Sequence, residues 1–162
     1  MSVKITDKQK AVIEGRKSYK SVATISRDGE LQLTTYRYTG VDENGNLLIY
    51  QLIETTGTNK NLTYALWFEK DVLISFSDGE GTEFTVKGVP VRNIVAGPFF
   101  EKKYRELNDE DFENDLVSIY VIEPSGIIEN NYEVLRQKER SEWGILGHMD
   151  RDLVSKEDLK DA

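Results

Sequence analysis

The chain of 162 residues has no cysteine, three prolines, one histidine and two tryptophans. Without cysteine there is no disulfide, no thiolate nucleophile and no thiolate-ligated metal site. No apolar run approaches the roughly 20 residues that a membrane-spanning helix needs. The opening Met1-Ser2-Val3-Lys4 carries no apolar signal region, so a cytoplasmic location is the expectation. Positive charge is also scarce: 21 basic residues stand against 29 acidic ones, a net charge of −8. Nucleic-acid binding works through clustered cations that neutralise phosphates, so this balance argues against such a partner. A single phosphate monoester remains compatible, because one nearby lysine outweighs a distant field. Ser-His-Asp, HExxH and Walker-type arrangements are absent. Their absence favours chemistry carried by a cofactor over chemistry carried by side chains.

What is present reads as strands punctuated by tight turns. A short helix opens the chain at Thr6 to Glu14, where Thr6 and Gln9 form a capping box and Gly15 is a stop. Tyr19 to Ser26 and Glu30 to Thr39 flank Arg27-Asp28-Gly29, a hairpin signal. On the second of these strands Leu31 and Leu33 share one face, while Gln32, Thr34, Tyr36 and Tyr38 share the other. Asn44-Gly45 turns the chain into a third strand, Asn46 to Ile53, and a helix is expected from Thr58 to Phe68. Asp71 to Ser77, Thr82 to Val95 and Leu116 to Glu123 are further strands. Pro98 fits the start of another helix, Phe99 to Leu107. Pro124-Ser125-Gly126 reads as a turn, after which Ile127-Ile128 extends the sheet. The expected fold is mainly β (α+β), a six-stranded antiparallel split barrel with short flanking helices; a sandwich with inserted helices is the competitor.

The stretch Thr58-Asn59-Lys60-Asn61-Leu62 carries the most chemical information. Backbone N–H groups at a helix start lack internal partners, and the helix dipole is positive there. Thr58 reads as the N-cap, and Lys60 adds a full charge in the first turn. A cation there opposes the dipole, which is easier to explain if an anion sits between. A surface lysine with no ligand is the plain alternative. Tyr36 fits equally a solvated strand face and a wall beside a flat ligand, while for Tyr38 the solvated face is preferred. Asp109-Glu110-Asp111 lacks a glycine-centred ligand loop and reads as a solvated helix cap, so no metal is expected. Arg92 and Arg105 are explained as well by solvent-facing positions as by anion contacts.

The order of elements resembles a known family. A helix precedes Ser21-Val22-Ala23-Thr24-Ile25-Ser26-Arg27-Asp28-Gly29; then come a strand, Asp42-Glu43-Asn44-Gly45, a strand, and Thr58-Asn59-Lys60-Asn61-Leu62. Asp71-Val72-Leu73-Ile74-Ser75-Phe76 and Val86-Lys87-Gly88-Val89-Pro90-Val91 follow. This resembles the FMN-binding split β-barrel of the pyridoxamine 5′-phosphate oxidase-like superfamily over roughly Thr6 to Glu129. The resemblance implies a split-barrel domain, here residues 1–140, followed by a tail of 141–162. It also implies a homodimer with FMN in clefts between the subunits. Thr58 and Lys60 match the family's phosphate-holding positions, with Asn61 beside them, and Asn59 stands where a second basic residue often occurs. Thr34 and Tyr36 fall beside the flavin, Tyr50 and Gln51 near the ribityl chain and phosphate, and Trp143 packs over the partner's flavin or anchors the tail. The implied activity is a flavin-dependent oxidoreductase acting on a small substrate, with no catalytic acid or base identified. Pyridoxamine phosphate oxidation itself is not expected, for want of a convincing arginine-histidine set in Trp143 to Arg151. The alternative is a non-catalytic cofactor-binding or sensing module on the same barrel. It would hold FMN, haem through His148 (since haem-degrading relatives use a C-terminal histidine), or no cofactor.

Overall fold

A computed structural model describes residues 3–110 and 115–142. It divides into two compact units, Met1–Ile128 and Glu129–Ala162. The first unit begins with α1 (Asp7–Glu14), whose N-cap Thr6 makes the reciprocal bonds of a capping box with Gln9. Seven strands then form one sheet: β1 (Tyr19–Ile25), β2 (Leu31–Thr35), β3 (Thr39–Val41), β4 (Leu47–Gln51), β5 (Val72–Ser77), β6 (Glu83–Ile94) and β7 (Ser118–Glu129). The helices α2 (Gly57–Phe68) and α3 (Pro98–Glu110) interrupt them.

The strand order is β2-β1-β5-β6-β7-β4-β3. Its two edge strands, β2 and β3, follow one another in sequence and are separated by only Tyr36, Arg37 and Tyr38. Three residues span at most about 11 Å, so the two edges must meet and the sheet must curl. The hydrogen bonds record the handover: Tyr36 N–H still donates to Lys20 O on β1 at 3.0 Å, whereas Tyr38 O already accepts from Tyr50 N–H on β4 at 3.4 Å. The single strand expected from Glu30 to Thr39 is therefore two strands, and the sheet has seven strands rather than six within the expected class of fold.

Curling gives the sheet an inside. Val22, Ile74, Phe76, Phe84, Val86, Leu47, Ile49 and Ile122 fill it, closed by Leu62 and Ala65 of α2 and by Val12 and Ile13 of α1. Phe76 and Phe84 stack at 5.3 Å across the β5–β6 pair. A second cluster, with Leu48, Tyr50, Ile119, Val121 and Tyr38, lies on the other face of β4 and β7, with Leu107 of α3. All five residues of β4 are buried because both of its faces are covered. Tyr38 is part of this cluster, not of a solvated face.

Gly88 is a structural position, as expected. A Cβ there would lie 2.6 Å from Glu123 O and 2.7 Å from Ile122 Cγ2, so only glycine lets β7 approach β6 this closely. Pro124-Ser125-Gly126 does not turn: β7 runs straight through it, and Ser125 Oγ donates to Lys87 O at 3.3 Å. Lys20 is buried at 3% exposure. Its ammonium donates to the carbonyls of Gly15 and Ser18, tying the end of α1 to β1, and burial lowers its pKa.

The second unit contains α4 (Tyr132–Glu142), which the charged composition of that segment conceals. Asn131 caps it, its Oδ1 accepting from Val134 N–H at 3.0 Å.

Candidate functional site

α2 lies across β1, β2 and β6 and directs its first turn at the inward-facing polar residues of β2 and β4. The helix starts earlier than its sequence suggests. Thr56 is the N-cap, accepting at Oγ1 from Asn59 N–H at 3.1 Å, and Gly57 is the first helical residue. Thr58, expected to be the cap, sits inside the first turn instead. The cap is set by position relative to the barrel: Gln51 at the end of β4 donates through Nε2 to Thr56 Oγ1 at 3.0 Å and to Ile53 O at 2.5 Å.

Around this turn the structure collects six of the residues selected from sequence. Thr34 and Thr58 share a hydrogen bond of 2.6 Å. Tyr36 donates to Gln51 Oε1 at 2.6 Å. Asn59 donates to Glu54 O at 2.8 Å and accepts at Oδ1 from Tyr120 at 2.8 Å. Asn61 donates to Thr24 Oγ1 at 3.0 Å and Gln32 Oε1 at 3.1 Å. Thr58, Gln51 and Asn61 are buried. Burial pushes the Tyr36 phenol well up, with Tyr120 nearby adding to the effect, and burial also raises Tyr120. Both tyrosines therefore stay neutral hydrogen-bonding groups.

Lys60 is exposed on the same helix, one turn in, and no ion pair holds it among the described residues. Tyr50 does not join the group. Side chains alternate along β4, so Gln51 points inward to α2 while Tyr50 enters the second cluster, with its hydroxyl against Gly40. Burial, then Glu106 and Glu14, raise its pKa. Trp143, like His148 and Asp111, lies outside the described residues. Among the described residues no group of three or more His, Asp or Glu could hold a metal.

Sequence reasoning missed Thr24, Gln32, Thr56, Gly57 and Tyr120. Gln32 had a signal, because it shares a strand face with Thr34 and Tyr36. Thr24 and Tyr120 come from strands distant in sequence and had none.

The arrangement can be tested against an anionic group. The N–H groups of Gly57 and Thr58 donate to nothing in the described residues, as expected for the open end of a helix. Gly57 forms a cradle: a Cβ there would lie 2.7 Å from Gln32 Oε1. With Lys60 on the same helix, these donors fit a small phosphate-sized anion. The side chains around that cradle are held in place: Thr34 and Thr58 by each other, Asn59 by Glu54 and Tyr120, and Asn61 by Thr24 and Gln32.

No protein-family model matches the chain, and no curated protein matches it in sequence. Solved structures match in fold. HupZ from Group A Streptococcus superposes with a TM-score of 0.62 at 14% identity, covering 79% of this chain and 95% of that one. An FMN-binding protein from Syntrophomonas wolfei subsp. wolfei gives 0.60 at 11% identity, covering 74% and 81%. An F420 reductase gives 0.57 at 18% identity, covering 78% and 100%. With its curled antiparallel sheet and this order of elements, the chain has the split β-barrel fold of these solved structures, which also include two putative pyridoxamine 5′-phosphate oxidases.

Proposed function

We propose that this protein binds FMN and acts as a flavin-dependent oxidoreductase on a small substrate. In this reading it is a cytoplasmic homodimer with the cofactor at the subunit interface. The observation that carries the reading is the first turn of α2. On a barrel fold shared with an FMN-binding protein, it offers two backbone donors and a lysine that have no partner among the described residues, beside a neutral polar wall. The N–H groups of Gly57 and Thr58 would hold the phosphate, with Lys60 supplying the one full positive charge. Thr58, Asn59 and Asn61 fix the helix against the barrel, and Thr34, Tyr36 and Gln51 form the adjoining wall. Tyr50 supports that wall from its far side through β4. A bound flavin supplies hydride and electron transfer; the residues here bind it, orient it and limit water.

The purified protein is expected to be yellow, with a flavin absorbance spectrum after incubation with FMN and removal of the excess. Lys60→Ala should weaken FMN retention about tenfold, the effect of losing one charge-assisted contact. NADH or NADPH should bleach the bound flavin if the protein turns over. A chain that stays colourless with added FMN rejects the reading. A Soret band lost on His148→Ala would replace it with haem binding.

A further inference from the structure

Arg92 fits either a solvent-facing cation or an anion contact by sequence, and the site at α2 makes no use of it. The structure places it on the wall of an open groove of about 420 Å3, at the corner where β6 runs into α3. That volume falls in the range of small-molecule pockets, about 300–1,000 Å3. Gly97 builds the corner with a φ of +101°, a backbone state that favours glycine, and Pro98 starts α3. On the buried side of the corner, Ile94 and Phe100 pack against the second cluster. On the open side, Val95 and Phe99 keep 62% and 39% of their surface exposed. Lys87 on the same strand pairs with Asp71 at 3.0 Å, and Lys103 on α3 pairs with Glu106 at 2.8 Å. Arg92 is exposed and makes no ion pair with any described residue. Beside it, Asn93 also lines the groove, and its Oδ1 is buried without a hydrogen-bond partner. A buried acceptor left open costs free energy until a donor reaches it. The N–H groups of Phe99 and Phe100 donate to no described residue, since the first bond of α3 runs from Glu101 N–H to Gly97 O at 2.9 Å.

We infer that this groove is a second ligand site, built on β6 and α3 rather than on α2, and that it takes a small apolar carboxylic acid with an N–H or O–H donor beside its carboxylate. The inference does not depend on the FMN reading. Each part of such a ligand answers a group on the wall. The carboxylate meets the Arg92 guanidinium, whose parallel N–H groups match two carboxylate oxygens, and the first-turn donors of α3 add to it. The apolar body covers Val95, Pro98 and Phe99, which otherwise face water. The donor meets Asn93 Oδ1. A carboxylate has no hydrogen to give, so an acid without a second polar group leaves that acceptor open. The one acidic residue in the first turn of α3, Glu101, is exposed and is not part of the wall. One cation and one open acceptor therefore set the ligand's polarity, in a chain whose net charge is otherwise −8.

The test titrates the full chain with three probes of one size: 2-aminobenzoate, benzoate and aniline. Dissociation constants come from calorimetry, and 15N–1H spectra locate the binding. 2-Aminobenzoate, with both polar groups, should bind tightest, benzoate severalfold more weakly and aniline most weakly. The amide signals of Phe99 and Phe100 should move with either acid. Arg92→Gln, at an exposed position, should weaken both acids about tenfold and leave aniline unchanged. Asn93→Leu should bring 2-aminobenzoate down to the affinity of benzoate and leave benzoate unchanged. Val95→Trp, also at an exposed position, should fill the groove and weaken all three without lowering the melting temperature. Failure of both acids to bind saturably overturns the site, as does binding that moves signals elsewhere and spares those of Phe99 and Phe100. Acid affinities unchanged in Arg92→Gln overturn the role of Arg92. Equal affinities of the two acids for the wild-type chain overturn the role of Asn93. Flavin binding at α2 is untouched by any of these results.

Discussion

Tyr36 shows what a residue's own chemistry reveals and what it hides. Its place on the polar face of a strand follows from period-two alternation, so its neighbourhood with Gln32 and Thr34 was legible. Its partner was not. Gln51 lies on a strand that becomes adjacent only when the sheet curls, and no local pattern encodes that closure. The hydroxyl donates to Gln51 at 2.6 Å, and burial raises its pKa. A group whose folded pKa exceeds its unfolded value of about 10 favours folding while it is protonated. That contribution is complete below the unfolded pKa and is lost as pH rises towards the folded one. In a spectrophotometric titration of tyrosinate, Tyr36, Tyr50 and Tyr120 should therefore stay silent while exposed tyrosines ionise, and appear only as the protein unfolds. Tyr36→Phe should cost about 1–2 kcal/mol at neutral pH, because Gln51 Oε1 loses its donor, and should flatten the alkaline fall in stability. Urea melts at neutral and alkaline pH check both; an alkaline limb unchanged in the variant would rule out Tyr36 as a contributor.

At the scale of elements, the sequence signals were reliable where turn and cap chemistry is local. The capping box of α1 and the Asp28-Gly29 hairpin, with Gly29 at φ +84°, both form where their residues stand. They failed where two residues on either side of Gly57 offered the same chemistry. Thr56 and Thr58 both precede helical sequence, and either can cap. Gln51 decides between them by holding Thr56 Oγ1, a choice made by tertiary contact. The Leu31 and Leu33 face was equally ambiguous: alternation separated it from Gln32 and Thr34 but did not say which face points in. The polar face does, because α2 brings amides and hydroxyls to meet it, and both leucines are left exposed. Thr56→Ala removes the acceptor for Asn59 N–H and a partner of Gln51. It should cost about 1 kcal/mol in urea denaturation, in the usual range for an N-cap. Thr58→Ala, which leaves the cap intact, should lose the Thr34 bond without fraying the helix start. Amide exchange at Asn59 separates the two: it should speed up in the Thr56 variant only.

On the whole molecule, the net charge of −8 and the single lysine at α2 act in opposite directions on an incoming anion. Their ranges differ. The field of the whole chain acts over distances beyond the screening length, which is about 10 Å at 0.1 M salt, whereas Lys60 acts at contact. Added salt therefore removes the long-range repulsion more completely than the short-range attraction. The rate at which FMN associates should rise with sodium chloride, and that of uncharged riboflavin should not change. Lys60→Ala should lower FMN affinity while keeping the rise, since it deletes the contact and leaves the field. Stopped-flow quenching of flavin fluorescence across a salt series reads both. A rate that falls with salt, as it does for proteins that steer anions with a basic surface, would mean that positive charge is gathered around the opening of α2 well beyond Lys60. The neutral polar character of the site drawn here would then be wrong.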